Sequence, residues 1–203
     1  MTGLLMEGPI LWYLNRGSGA VTMLLFTLTL VLGVLSLGGL PARRLPRFVL
    51  QSLHRNAALL AFVMLGAHIV SSVVDQYVDI RWWQAFVPVG ATYEPLWLGL
   101  GAVAVDLLLV IAVTSMLRRR LADRTWRLLH QLAWPMWGVS MTHGLGMGTD
   151  LRDGWWWVTL GCGLAVAAAL VWRVTRPLLD RLRPDRPVSE PDTPSVPELK
   201  VLR

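Results

Sequence analysis

The sequence predicts an all-α polytopic membrane bundle of about five transmembrane helices, with an interfacial segment ahead of the first. Three observations predict it. Of the 203 residues, 54% are hydrophobic, and the mean hydropathy is positive. Several apolar runs approach the ~20 residues that a helix needs to cross a bilayer. The basic residues cluster between those runs, where cytoplasmic loops carry them. The formal net charge of +6 is therefore read as topology, and nucleic acid is not an expected partner.

Residues 1–17 mix Leu, Ile and Met with Trp12, Tyr13 and Arg16, and are read as interfacial, ending at Gly17-Ser18-Gly19. Glu7 precedes the first long apolar run and no positive cluster opens the chain, so a cleavable signal peptide is not expected. The first span is placed at 19–37 and the second at 48–74, separated by Pro41, Arg43, Arg44, Pro46 and Arg47. Residues 75–95 form a loop with Trp82, Trp83, Pro88 and Pro95, in which 85–91 is apolar but too short to span. The third span, 96–117, stops at Arg118-Arg119-Arg120. The fourth, 125–147, contains Pro135, and the fifth is 155–174. From Pro184 the chain is rich in Pro, Ser, Asp and Glu, a composition that cannot bury enough apolar surface to order itself. Three units result: the segment 1–17, a transmembrane domain over 18–175, and a cytoplasmic, mostly disordered tail over 176–203.

Loop charge orients these spans. Arg43, Arg44 and Arg47 follow the first; Arg118, Arg119, Arg120 and Arg124, against Asp123, follow the third; Arg176, Arg181, Arg183 and Arg186 follow the fifth. The alternate loops are acidic or balanced, with Asp75, Asp79, Arg81 and Glu94, then Asp150, Arg152 and Asp153. A multi-pass protein of the cell membrane with its N-terminus outside and C-terminus cytoplasmic satisfies the positive-inside rule at every loop. Trp12, Trp82, Trp83, Trp155, Trp156 and Trp157 then form an outer aromatic belt, with Trp126 and Trp172 near the inner interface.

The four histidines carry the chemistry. His54 and His68 lie in the second span, His130 and His143 in the fourth. Ionisable side chains inside a span are costly and mark function by default. His54 and His68 are fourteen residues apart, close to four helical turns and about 21 Å, so they share a face. His130 and His143 are thirteen apart, about 20 Å. Both helices run the same way, which puts His54 level with His130 on the inner side and His68 level with His143 on the outer side. Each level offers one imidazole from each helix, the arrangement that fills both axial positions of a haem iron. Thirteen residues is ~3.6 turns, which rotates His143 away from His130 on a straight helix. Pro135 lies between them and is expected to distort the helix and restore the alignment. Structural zinc needs four ligands about one centre, and two levels this far apart do not provide them. Cys162, the lone cysteine, rules out an intramolecular disulfide, a cysteine-ligated cluster and a C-x-x-C-H haem attachment, and reads as a small buried residue.

The segments Leu53-His54-Arg55 to Ala67-His68, and Trp126-Arg127-Leu128-Leu129-His130 to Thr142-His143, resemble the ferric reductase-like transmembrane domain. That family takes in ferric reductases, NADPH oxidases and the bacterial haem subunit of the methionine sulfoxide reductase system. Val113-Thr114-Ser115 before Arg118-Arg119-Arg120 is also similar to the family pattern, and Gly148-Thr149-Asp150 resembles actinobacterial members. The resemblance covers roughly 18–175. It implies two b-type haems, held by His54 with His130 and by His68 with His143, and transmembrane electron transfer as the membrane cytochrome subunit of a reductase system. The tail has no Gly-rich phosphate-binding turn and is far below domain size. The chain is thus expected to be an oxidoreductase component without its own flavin or NAD(P)H domain. A separate flavoprotein or a reduced quinone is the expected donor, and an outer acceptor or reductase the expected partner, all in a lipid bilayer.

Arg55 and Arg127, beside the inner histidines, are candidate partners for haem propionates, with Arg81 and Arg152 near the outer surface. Topology and lipid headgroups are the competing reading for each. Asp106, mid-span, is read either as a proton or quinone group, or an acceptor orienting an imidazole, or as a protonated acid bonded to a neighbouring helix. Asp150 and Asp153 read as capping the outer end of the fourth span, with metal-substrate binding as the alternative. Trp134, Met136, Trp137 and Met141 read as packing around a flat apolar ring. Two other functions stay open: a haem-binding sensor or assembly subunit without turnover, and a transporter or scaffold with structural histidines.

Overall fold

The computed structural model describes residues 9–37, 46–75, 78–148 and 156–182. These form α1 (Pro9–Ser36), α2 (Arg47–Val74), α3 (Pro95–Met116), α4 (Asp123–His130), α5 (Ala133–Met147) and α6 (Trp156–Leu182). Short 3-10 turns lie at Trp82–Ala85 and Arg118–Arg120, and no strand occurs among the described residues. Four of the helices are long and apolar enough to cross a membrane. The protein is an all-α polytopic membrane bundle, as its composition predicts.

The Gly17-Ser18-Gly19 stretch, expected to close a separate segment, lies inside α1, which runs unbroken from Pro9. Its hydroxyls bond back into the helix: Ser18 Oγ donates to the Leu14 carbonyl at 2.6 Å, Thr22 Oγ1 to Ser18 at 2.7 Å and Thr29 Oγ1 to Leu25 at 2.7 Å. Each hydroxyl is thereby satisfied without water, which is what lets polar residues sit in a lipid-spanning helix. Pro46 immediately precedes α2, and Pro95 occupies the first turn of α3, where a missing N–H costs nothing. In the loop between them the apolar 85–91 stretch forms no helix of its own. The 3-10 turn sits just before it, closed by a hydrogen bond from the Arg81 N–H to buried Gln84 Oε1 at 2.8 Å. At the far end of the bundle α6 continues through Pro177 to Leu182, beyond the span placed at 155–174. The remainder of the expected tail, the Arg43–Arg44 loop and the Asp150–Asp153 loop lie outside the described residues.

The fourth predicted pass is two helices joined at Gln131-Leu132. Pro135 has no N–H for the Gln131 carbonyl four residues earlier, and its ring crowds that carbonyl. The backbone tightens to compensate. The Leu132 N–H bonds the Leu129 carbonyl and the Trp134 N–H bonds the Gln131 carbonyl, both at 3.1 Å and three residues apart; Met136 resumes the helical bond to Leu132 at 3.0 Å. The distortion expected from Pro135 is thus present, one turn ahead of the proline itself.

The packing is two helix pairs bridged by α1. α1 and α2 pack along most of their length, α3 packs on α5, and α1 also touches α5 and α6. α2 packs closely on neither α4 nor α5, so the two histidine-bearing passes face each other across a gap. Midway along that gap sits a wall of buried side chains, one from each of four helices: Phe26, Ala61, Ile111 and Met136, flanked by Leu65, Leu107, Leu108 and Trp137. Trp137 Nε1 donates to Thr27 Oγ1 at 2.9 Å and ties α5 to α1 beside it. A second cluster, Leu32, Leu50 and Ala57, closes the α1–α2 seam near His54.

Candidate functional site

The structure brings the four histidines together in two pairs. His54 of α2 meets His130 at the end of α4, with ring centres 6.1 Å apart and planes 63° apart. His68 of α2 meets His143 of α5 at 6.4 Å and 80°. The wall formed by Phe26, Ala61, Ile111 and Met136 separates the two levels.

Three of the rings are fixed from behind. His54 Nδ1 lies 2.9 Å from the Thr29 carbonyl, His68 Nδ1 3.0 Å from the Asn15 carbonyl and His143 Nδ1 2.8 Å from the Trp97 carbonyl. A carbonyl only accepts, so in these rings Nδ1 carries the proton and Nε2 keeps its lone pair. That is the tautomer a metal-binding imidazole adopts when its second nitrogen is held by the protein. Asn15 also takes a hydrogen bond from Ser72 Oγ at 2.9 Å, which locks the His68 end of α2 to α1. His130 differs. Its Nδ1 is buried with no partner among the described residues, and its ring stacks on Trp126 at 4.9 Å and 20°. The Arg118 guanidinium covers the Trp126 ring at 4.1 Å.

Each ring that bonds a carbonyl also lies against a glycine. A Cβ built at Gly19 falls 3.1 Å from the His68 ring, one at Gly33 falls 3.4 Å from His54 and one at Gly101 falls 2.8 Å from His143. Gly146 likewise makes room for Trp97, the residue whose carbonyl holds His143. None of these glycines is marked by the histidine spacing itself. The one available signal is that Gly19 and Gly33 are fourteen residues apart, as His54 and His68 are.

The chemistry open to this arrangement follows from distance. With metal–imidazole bonds of ~2.0 Å and roughly 1.2 Å from nitrogen to ring centre, two imidazoles on opposite sides of one metal have centres about 6.4 Å apart. Both observed separations fit. No group of three or more His, Cys, Asp or Glu side chains converges among the described residues, so these supply two of the four ligands of a tetrahedral zinc site at each pair. Two facing imidazoles suit a metal that brings its remaining ligands with it, as the iron of a porphyrin does. Around His68 and His143 there is a cavity of ≈ 370 Å³, lined by apolar groups such as Met23, Leu65 and Met141 and reaching Trp12, Arg16 and Tyr93 toward the 75–95 loop.

The remaining candidates are placed as follows. Arg55 and Arg127 are exposed and make no hydrogen bond or ion pair among the described residues. Asp106 is half-buried in α3 and likewise makes none, while backbone carbonyls occupy the three bonded Nδ1 positions. Arg81 pairs with Asp79 at 3.6 Å on the surface. Met136 and Trp137 belong to the wall between the levels, Met141 lines the cavity, and Trp134 lies under the Arg173 guanidinium at 5.8 Å. Cys162 is buried, with its free thiol at the cavity edge.

No curated protein and no solved structure matches the chain. A family model does, that of the ferric reductase like transmembrane component, over residues 16–141. The matched stretch is well over half of the sequence, carries His54, His68 and His130, and ends two residues before His143. The chain therefore belongs to the ferric reductase-like transmembrane family.

Proposed function

We propose that this protein carries electrons across the cell membrane through two bis-histidine b-type haems, as the membrane cytochrome subunit of a reductase system. The observation that carries the reading is the pair of histidine encounters, at 6.1 and 6.4 Å, spanning a gap between helices that do not pack together. His54 and His130 would hold one haem and His68 and His143 the other. Haem supplies a one-electron couple at each level when bound. The protein's part is to present Nε2 lone pairs, to hold three rings through Nδ1, and to keep water from the wall between the levels.

The reading takes the N-terminus as outer and the C-terminus as cytoplasmic, from the Arg-rich loops. Arg55 and Arg127 then stand on the inner side, within reach of propionates or lipid phosphates. The described residues form the helical bundle alone, and the reading places the donor elsewhere, on a flavoprotein or as a reduced quinone. Electrons leave at the outer level to a small acceptor or a partner reductase.

Absorption spectra of the detergent-purified protein, oxidised and then reduced, test this directly. The expected result is a Soret band that shifts, and an α band that appears, on reduction, with two haems per chain. His68→Ala and His143→Ala should each remove one haem, and His54→Ala and His130→Ala the other. A colourless wild-type protein, or variants that lose haem in other combinations, would sink the assignment.

A further inference from the structure

The three carbonyl bonds and the three glycines are one repeated device. In every case the accepting carbonyl lies four residues before the glycine on the same helix: Asn15 and Gly19, Thr29 and Gly33, Trp97 and Gly101. In a helix that carbonyl already accepts from the glycine's own N–H. Its second lone pair is free, and the missing side chain opens the path to it. The ring edge formed by Cε1 and Nδ1 settles on the glycine, at each of the three sites. At Gly101 and Gly19 even a Cβ would press on that edge and push it from the carbonyl. Two of these seats are on α1 and one is on α3, so helices with no histidine hold the histidines of their neighbours.

We infer that Gly19, Gly33 and Gly101 are positioning residues for the imidazoles, each fixing the tautomer and the tilt of one ring. The inference rests on the haem reading given above and adds to it the residues that aim the ligands. Their contributions are graded by space. A Cβ at Gly101 would lie 2.8 Å from Cε1 and 2.9 Å from Nδ1 of His143, and something must move. At Gly19 the His68 ring must give by a few tenths of an ångström, with both atoms at 3.1 Å. At Gly33 the distances to His54, 3.4 and 3.6 Å, are ordinary contact. Gly17 of α1, Gly66 of α2 and Gly138 of α5 have nothing within 4 Å and provide controls, one on a seat helix and two on the helices that carry the histidines.

The experiment compares Gly101→Ala, Gly19→Ala and Gly33→Ala with the three control alanines in the full chain. It follows haem retention against a haem-scavenging apoprotein, and the low-spin EPR g-values and midpoint potential of each haem. Gly101→Ala should weaken the His68–His143 haem about ten- to a hundredfold, the usual cost of losing a group that orients a metal ligand. Gly19→Ala should weaken the same haem less, and Gly33→Ala should change the other haem least. The spectral shift should stay on the level whose seat was altered, and the controls should match wild type. If Gly101→Ala does not assemble, Gly19→Ala carries the test through its outer-haem signal. Unchanged retention and g-values in the seat variants, or equal losses in seats and controls, would overturn the inference while leaving a haem-loaded wild type intact. A wild type without haem would instead overturn the functional reading on which it rests.

Discussion

An imidazole that gives Nδ1–H to a backbone carbonyl becomes a better electron donor at Nε2 and loses rotational freedom about its side chain. His54, His68 and His143 have that support, and His130 has a stacked Trp126 in its place. The unequal support makes a prediction. When the loaded protein is challenged with a haem-scavenging apoprotein, the His54–His130 haem should leave first, in a biphasic loss of absorbance. A single exponential for both haems would contradict it. A second prediction concerns the tie from Trp137 Nε1 to Thr27 Oγ1. Hydrogen bonds between membrane helices contribute about 0.6 kcal/mol on average, so Trp137→Phe and Thr27→Val should each destabilise by that order. The double variant should cost no more than the larger single change, as read from thermal unfolding in detergent.

At the scale of elements, the break at Gln131-Leu132 decides whether the pairs can form. A continuous helix from Asp123 to Met147 would turn His143 about 140° from His130, and only one could then face α2. Pro135→Ala restores an N–H to the Gln131 carbonyl and allows that straight helix. α5 is held by α3 and α1, whereas α4 rests on α3 and carries little else, so α4 should be the part that swings. The expected outcome is loss of the His54–His130 haem with the other retained, measured as haem per chain and by EPR. Four spans, the fourth-pass distortion and the matching histidine levels were all legible in the sequence, because hydropathy and helical period act over long windows. The joint itself falls at Gln131 because the carbonyl four residues back takes the clash, an offset that the position of Pro135 alone does not mark. The glycine seats were illegible for a different reason. A seat depends on which turn of α1 or α3 lies behind each ring, and that register is settled by packing rather than by any local preference.

At the scale of the molecule, the gap between α2 and the α4–α5 pass opens at the His68–His143 level into a cavity of ≈ 370 Å³. A ligand bound only to the folded form stabilises it by RT ln(1 + [L]/Kd), about 2.7 kcal/mol at a hundredfold excess over Kd. Haem-depleted protein should accordingly unfold at lower temperature in the same detergent, with the difference restored by added hemin. Equal transitions would show that the bundle closes without it. The broken pass bears also on how the chain enters the bilayer. α5 has 15 residues, about 22 Å of helix, short of the roughly 30 Å of hydrocarbon that a free-standing helix must cross. α1, α2, α3 and α6 can each be released into lipid on their own hydropathy, while α4 and α5 together must shelter their joint from it. Since α3 packs on both α4 and α5, the expected order of insertion is α3 first, with the broken pass settling against it; variants that weaken the α3 surface should lower the yield of inserted protein, as read by membrane fractionation.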